Sequence, residues 1–165
     1  MTLRRLVLSS RLILTAGMVS LLAACSTTPK TETGAKITKV NPYWLADISE
    51  PIRAQDPSIL HERNALLHGA ISNDERTARQ GNYFTIFWEL ADRQPVTVRL
   101  EYRQANSGLK VKTIEQEVTE LKKHNVTKFS FIGEDYVTNG RVTSWRASLV
   151  RGKQTLADYK SYLWE

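Results

Sequence analysis

Residues 82–90 read NYFTIFWEL. Successive side chains of an extended chain point to opposite sides, so Phe84, Ile86, Trp88 and Leu90 share one face and Tyr83, Thr85, Phe87 and Glu89 the other. A helix would need its apolar residues at spacings of three and four. The period of two therefore predicts a strand with one buried face. The runs that follow repeat it. In residues 96–103, Val96, Val98, Leu100 and Tyr102 alternate with Thr97, Arg99, Glu101 and Arg103. Residues 126–132 set Phe129 and Phe131 on one face, and residues 142–150 set Trp145, Ala147 and Leu149 inward against Ser144, Arg146 and Ser148 outward. In residues 155–164, Ala157, Tyr159, Ser161 and Leu163 share one face and Leu156, Tyr162 and Trp164 the other. Residues 109–118 form a further strand whose alternation slips at Thr113-Ile114, which predicts a bulge; the Glu/Lys content of residues 113–123 also suits a helix. A short alternation of Leu66, His68 and Ala70 with Leu67, Gly69 and Ile71 predicts a first strand. Asn106-Ser107-Gly108, Asn139-Gly140 and Gly152 supply turns. Seven short strands separated by turn signals predict an all-β chain folded as an antiparallel β-sandwich over residues 64–165.

Upstream the pattern breaks. Residues 37–63 hold an apolar cluster, Tyr43-Trp44-Leu45, among Pro42, Pro51 and Pro57. The prolines predict an irregular arm that packs on the sandwich through Tyr43 and Trp44, with one helical turn over residues 57–62 capped by Asp56. Residues 72–81 read as a loop or a single helical turn capped by Ser72 or Asn73. Residues 26–36, STTPKTETGAK, are polar and read as a flexible tether with a reach of about 20 Å.

The first 24 residues have a different composition. Arg4, Arg5 and Arg11 precede and flank an apolar run, residues 12–22, that is too short to span a bilayer comfortably. A basic start, a short apolar stretch and small residues at its end describe a secretory signal. Leu22-Ala23-Ala24-Cys25 resembles the lipobox of bacterial lipoprotein precursors. The resemblance implies cleavage between Ala24 and Cys25, and a diacylglycerol thioether on Cys25 with further acylation of the new N-terminus. It also implies an envelope location, and Ser26 in place of Asp points to the outer membrane, facing the periplasm. The domains expected are thus residues 1–24 as signal peptide, 25–36 as lipidated N-terminus and tether, 37–63 as arm and 64–165 as sandwich.

Residues 82–164 resemble an immunoglobulin or fibronectin type III domain. The likeness is carried by Trp88 on an early strand, Tyr102 on the next, and Trp145, Ala147 and Leu149 on a late strand before a closing hairpin. Tyr136 lies near the loop where such domains carry a tyrosine corner. The whole chain is also similar to small uncharacterised bacterial lipoproteins. A fold of this class licenses no activity by itself.

Charge and chemistry exclude more than they select. The 165 residues carry 23 Lys and Arg against 17 Asp and Glu, a formal +6. Loss of Arg4, Arg5 and Arg11 with the signal lowers this to +3, which is no footprint for nucleic acid. Cys25 is the single cysteine, so thiol chemistry and disulfides have no place in the folded part. His61, His68 and His124 match no zinc spacing, and no phosphate loop, dinucleotide fingerprint or nucleophile elbow occurs. Glu134-Asp135 and Asp74-Glu75 read as turn charges. No enzyme, metal or cofactor is expected. The candidate binding surface joins Tyr83 and Phe87 with Arg99, Arg103 and Arg146, since aromatics interleaved with arginines can hold a peptide or glycan. The competing expectation has Tyr83 and Phe87 covered by the segment around Tyr43 and Trp44. Function is expected to be non-enzymatic binding or scaffolding toward another envelope protein, through that face or the edge strand over residues 155–164. The alternative is a carbohydrate-binding or glycan-acting protein.

Overall fold

The structure is a computed structural model that describes residues 34–46 and 56–165. The expected signal peptide, Cys25, most of the tether and residues 47–55 of the expected arm lie outside the described residues. The strands, in chain order, are β1 (Lys36–Leu45), β2 (Gly81–Glu89), β3 (Val96–Gln104), β4 (Lys112–Val118), β5 (Asn125–Ile132), β6 (Val142–Arg151) and β7 (Gln154–Lys160). The helices are α1 (Pro57–Leu67), α2 (Asn73–Ala78) and α3 (Glu134–Asn139).

Strands β1-β2-β5 form one antiparallel sheet and β4-β3-β6-β7 the other. The fold is the all-β antiparallel sandwich that the alternation predicts. Each period-two run contributes its apolar face to the space between the sheets. Phe84, Ile86 and Trp88 of β2 meet Val98 and Leu100 of β3 and Ala147 and Leu149 of β6 there, all essentially inaccessible to water. Complete burial of such side chains stabilises by about 1.5–3 kcal/mol each. The Phe84 ring packs edge-on against Phe131 at 5.9 Å and Trp145 at 5.7 Å. The Trp88 indole N–H in the deepest layer is matched: it donates to Thr127 Oγ1 at 3.0 Å.

Several expectations change. The arm is not irregular where the structure describes its first part: residues 36–45 are β1, paired with β2 from Lys36↔Glu89 to Leu45↔Gly81. Pro42 does not break it because β1 is an edge strand, where one side of the backbone makes no ladder bonds. The strand expected over residues 64–71 is instead the end of α1 and the turn after it. Asp56 Oδ1 accepts from Ser58 N at 2.8 Å with Pro57 at the first position, and the helix started there runs on through Leu67. The register between β3 and β4 is continuous past Ile114, so the expected bulge is absent from that pair. The last strand stops at Lys160, and residues 161–165 turn back: Ser161 N donates to Trp145 O at 2.9 Å, and Trp145 N donates to Ser161 Oγ at 3.0 Å. The turn capped by Ser72 is α2, with Glu75 completing a capping box.

Candidate binding groove on the three-stranded sheet

The outward face of β1-β2-β5 is built in rungs. The cross-strand register places Tyr43, Tyr83 and Ser130 abreast, then Asn41, Thr85 and Lys128, then Lys39, Phe87 and Val126. Alternate rungs along a strand are about 7 Å apart. An aromatic rung, a polar rung and a second aromatic rung thus follow each other along β2. Alternation puts these residues outside because Phe84, Ile86 and Trp88 themselves occupy the core.

Helix α1 stands over this floor. Ile59, Glu62 and Leu66, at spacings of three and four, share the side of the helix turned to it. None of the helix's residues is fully buried, and hydrogen bonds engage both of its ends. At the N-terminus Asp56 caps Ser58, and that hydrogen bond keeps the Asp56 carboxyl below the usual range. At the C-terminus the Arg79 guanidinium donates to Leu66 O at 2.9 Å and His68 O at 2.7 Å. The Tyr83 hydroxyl donates to Arg79 O at 2.6 Å, which ties this clamp to the floor.

Between helix and sheet a groove of about 520 Å³ remains, lined by Tyr43, Ile59, Tyr83, Phe87 and Val126, with Asn41, Pro42, Ser58, Glu62, Thr85 and Lys128 between them. A second hollow of about 260 Å³, lined by Leu66, Ser130 and Phe129, shares Glu62, Tyr83, Thr85 and Lys128 with it. Burial raises the Tyr83 phenol pKa, and burial raises that of Tyr43 against the opposing charge of Arg63. Both hydroxyls therefore stay protonated in the neutral range, and that of Tyr83 is already committed to Arg79 O. Val126 is 52 % exposed and Ile59 43 %, an apolar pair open to solvent across the groove.

The candidate surface read from sequence divides in two. Tyr83 and Phe87 lie on the groove floor, whereas Arg99, Arg103 and Arg146 lie on the outward face of the other sheet. The reason is topological: β3 does not pair with β2 but crosses to the second sheet, where its neighbours are β4 and β6. Those arginines are engaged within the fold. Arg99 pairs with Glu115, and Arg146 Nε donates to Glu101 Oε2 at 2.8 Å. Arg103 donates to Ser144 Oγ and Glu165 O, and lies 4.5 Å from the centre of the buried Trp164 ring. Nor do Tyr43 and Trp44 cover Tyr83 and Phe87. Both floor residues are half-buried, and Tyr43 stands beside Tyr83. Trp44 points elsewhere: its indole donates to the Tyr136 hydroxyl at 2.8 Å under the Arg141 guanidinium. Tyr136 thus holds the end of β1.

His61 and His68 are both exposed, on α1 and just after it, and His124 Nδ1 meets Glu89 at 2.8 Å. Asp135 belongs to a structural network in which the buried Gln104 amide and Asn139 donate to it at 3.1 and 2.9 Å. Sequence reading missed Tyr43, Ile59, Glu62, Val126 and Lys128 as groove residues. The helical spacing of Ile59, Glu62 and Leu66 is the signal that was present for three of the lining positions. Comparison with family models, curated proteins and solved structures finds no match for this chain.

Proposed function

We propose that this chain is a bacterial envelope lipoprotein whose immunoglobulin-like sandwich is a non-enzymatic binding module for another envelope protein. In this reading it is cleaved before Cys25 and held by lipid at the outer membrane, facing the periplasm. The observation that carries the binding role is the groove between α1 and the outward face of β1-β2-β5. Its wall and floor join aromatic and apolar side chains with interspersed polar groups, the usual make-up of a ligand-binding concavity. Strand β5 is an edge of its sheet and supplies Val126 and Lys128 to the groove. An extended peptide laid along β5 gains ladder hydrogen bonds from that edge while alternate side chains reach Phe87 and Tyr83.

The test uses the full-length protein as bait in cross-linked membranes, beside Phe87→Ala and Val126→Asp variants. A protein recovered with the unaltered bait and lost with both variants supports the reading. Recovery that is unchanged by either variant, or nothing above background, overturns it. The three aromatic rings of the groove also suit stacking on sugar rings, which favours glycan binding as a second reading. Retention on purified envelope polysaccharide that depends on Phe87 would establish that reading in place of the first.

A further inference from the structure

The described chain begins at Gly34 and enters β1 at Lys36, and the register fixes which end of the sandwich this is. Lys36 pairs with Glu89 at the end of β2, Trp88 with Asn125 at the start of β5, and Val96, the start of β3, with Val118, the end of β4. Arg151 pairs with Gln154 across the turn from β6 to β7. The loops over residues 90–95, 119–124 and 152–153 therefore lie at the end where the chain comes in. Gly34, Arg93 and Lys123 line one shallow hollow there.

That end carries a set of cations with no protein partner. Lys36, Arg93, Lys122, Lys123 and Lys153 are exposed, and among the described residues none has a side-chain hydrogen bond or ion pair. Of the nearby acids, Glu89 meets His124 and Asp92 is held by Arg151, which leaves Glu117 and Glu120. At the opposite end the cations are mostly engaged: Arg76 and Arg79 bond backbone carbonyls, Lys112 meets Asp135, and Arg141 covers Trp44. Arg93 also has a backbone φ of 50°, the left-handed region that a long side chain rarely adopts.

We infer that this end of the sandwich rests on an anionic phospholipid surface. The inference rests on the proposed lipid anchor, which decides that this end and not the other meets the membrane. Even a fully extended chain from Cys25 to Gly34 spans only about 30 Å. The tether thus lets the loops reach the lipid headgroups, and the attraction acts once they come within about one screening length, roughly 8 Å at physiological salt. A cation near such a surface strengthens association by roughly fivefold. Lys122, Lys123 and Lys153 together then account for roughly 100-fold.

The experiment reconstitutes the full lipoprotein, purified from membranes, into vesicles of phosphatidylcholine with or without phosphatidylglycerol. With Cys25 acylated, a single engineered thiol takes a fluorophore, at Thr119→Cys beside the basic loops or at Leu109→Cys on the far end. Headgroup-borne quencher is expected to dim the Thr119→Cys label several-fold more than the Leu109→Cys label. The difference is expected only with phosphatidylglycerol, and is expected to vanish in high salt or on replacing Lys122, Lys123 and Lys153 with Ala. Flotation with phosphatidylcholine alone reads the anchor separately. Anchored protein whose two labels behave alike overturns the docking and leaves the anchor standing. Protein that does not float overturns the anchor and the inference with it.

Discussion

Trp88 shows how one residue joins burial to polarity. Its ring is among the most deeply buried in the core, and its single donor has one partner, Thr127 Oγ1. Thr127→Val keeps the shape and removes the acceptor. The expected cost is about 1–3 kcal/mol, the penalty of an unsatisfied buried donor, read as a lower urea midpoint with an unchanged slope. Asp92 gives the opposite case at the surface. Hydrogen bonds from Arg151, then from Gln94 N–H, hold its carboxyl below the ordinary value. A carboxyl lowered in the folded state stabilises above its unfolded value, and the contribution disappears as pH falls through the folded one. Asp92→Asn is therefore expected to lower the urea midpoint at neutral pH and to match the unaltered protein in acid below both values. A difference that persists in acid would count against the assignment. The alternation rule made the inward residues legible because it depends only on local geometry. Thr127 as the partner of Trp88 was not legible, since that contact depends on the pairing of β2 with β5.

Among the elements, α1 and β1 separate what local sequence encodes from what the fold decides. Asp56 and Pro57 announce a helix start, and one is there. Its length was hidden because the Leu66-Leu67 run fits a strand as readily as the last turn of a helix. Pro42 argued against a strand, and only membership at a sheet edge makes it acceptable. Helix α1 has no fully buried residue and is engaged by Arg79 at its C-terminal end. Arg79→Ala is expected to raise amide hydrogen exchange across Pro57–Leu67 by at least tenfold, as loss of the two carbonyl contacts lowers local stability by about 1.4 kcal/mol or more. Exchange in β2 and β3 should stay at the rate set by global unfolding. Equal acceleration in all three elements would show that α1 unfolds only with the sandwich, and the groove wall would then be part of the core unit.

For the molecule as a whole, topology decided what sequence patterning did not. Outward residues of consecutive strands look like neighbours in a linear reading, yet the crossing between β2 and β3 puts the aromatic groove and the arginine ladder on opposite outer faces. The same topology gathers free cations at the end where the chain comes in and leaves the groove on the flank, parallel to the strands. A sandwich standing on its basic end presents the groove and β5 sideways, clear of the lipid, where an envelope partner can reach both. That arrangement requires the proposed anchor, and Cys25 makes it directly testable. Each buried methylene of an acyl chain is worth about 0.8 kcal/mol, so two or three chains hold firmly where one is marginal. Because Cys25 is the single cysteine of the chain, no other thiol can take the lipid. Cys25→Ala is expected to accumulate as a precursor that retains residues 1–24, seen by intact mass, and to incorporate no labelled fatty acid in growing bacteria. Label that persists in this variant would mean acylation at another atom, and the sandwich would then lose its fixed orientation at the membrane.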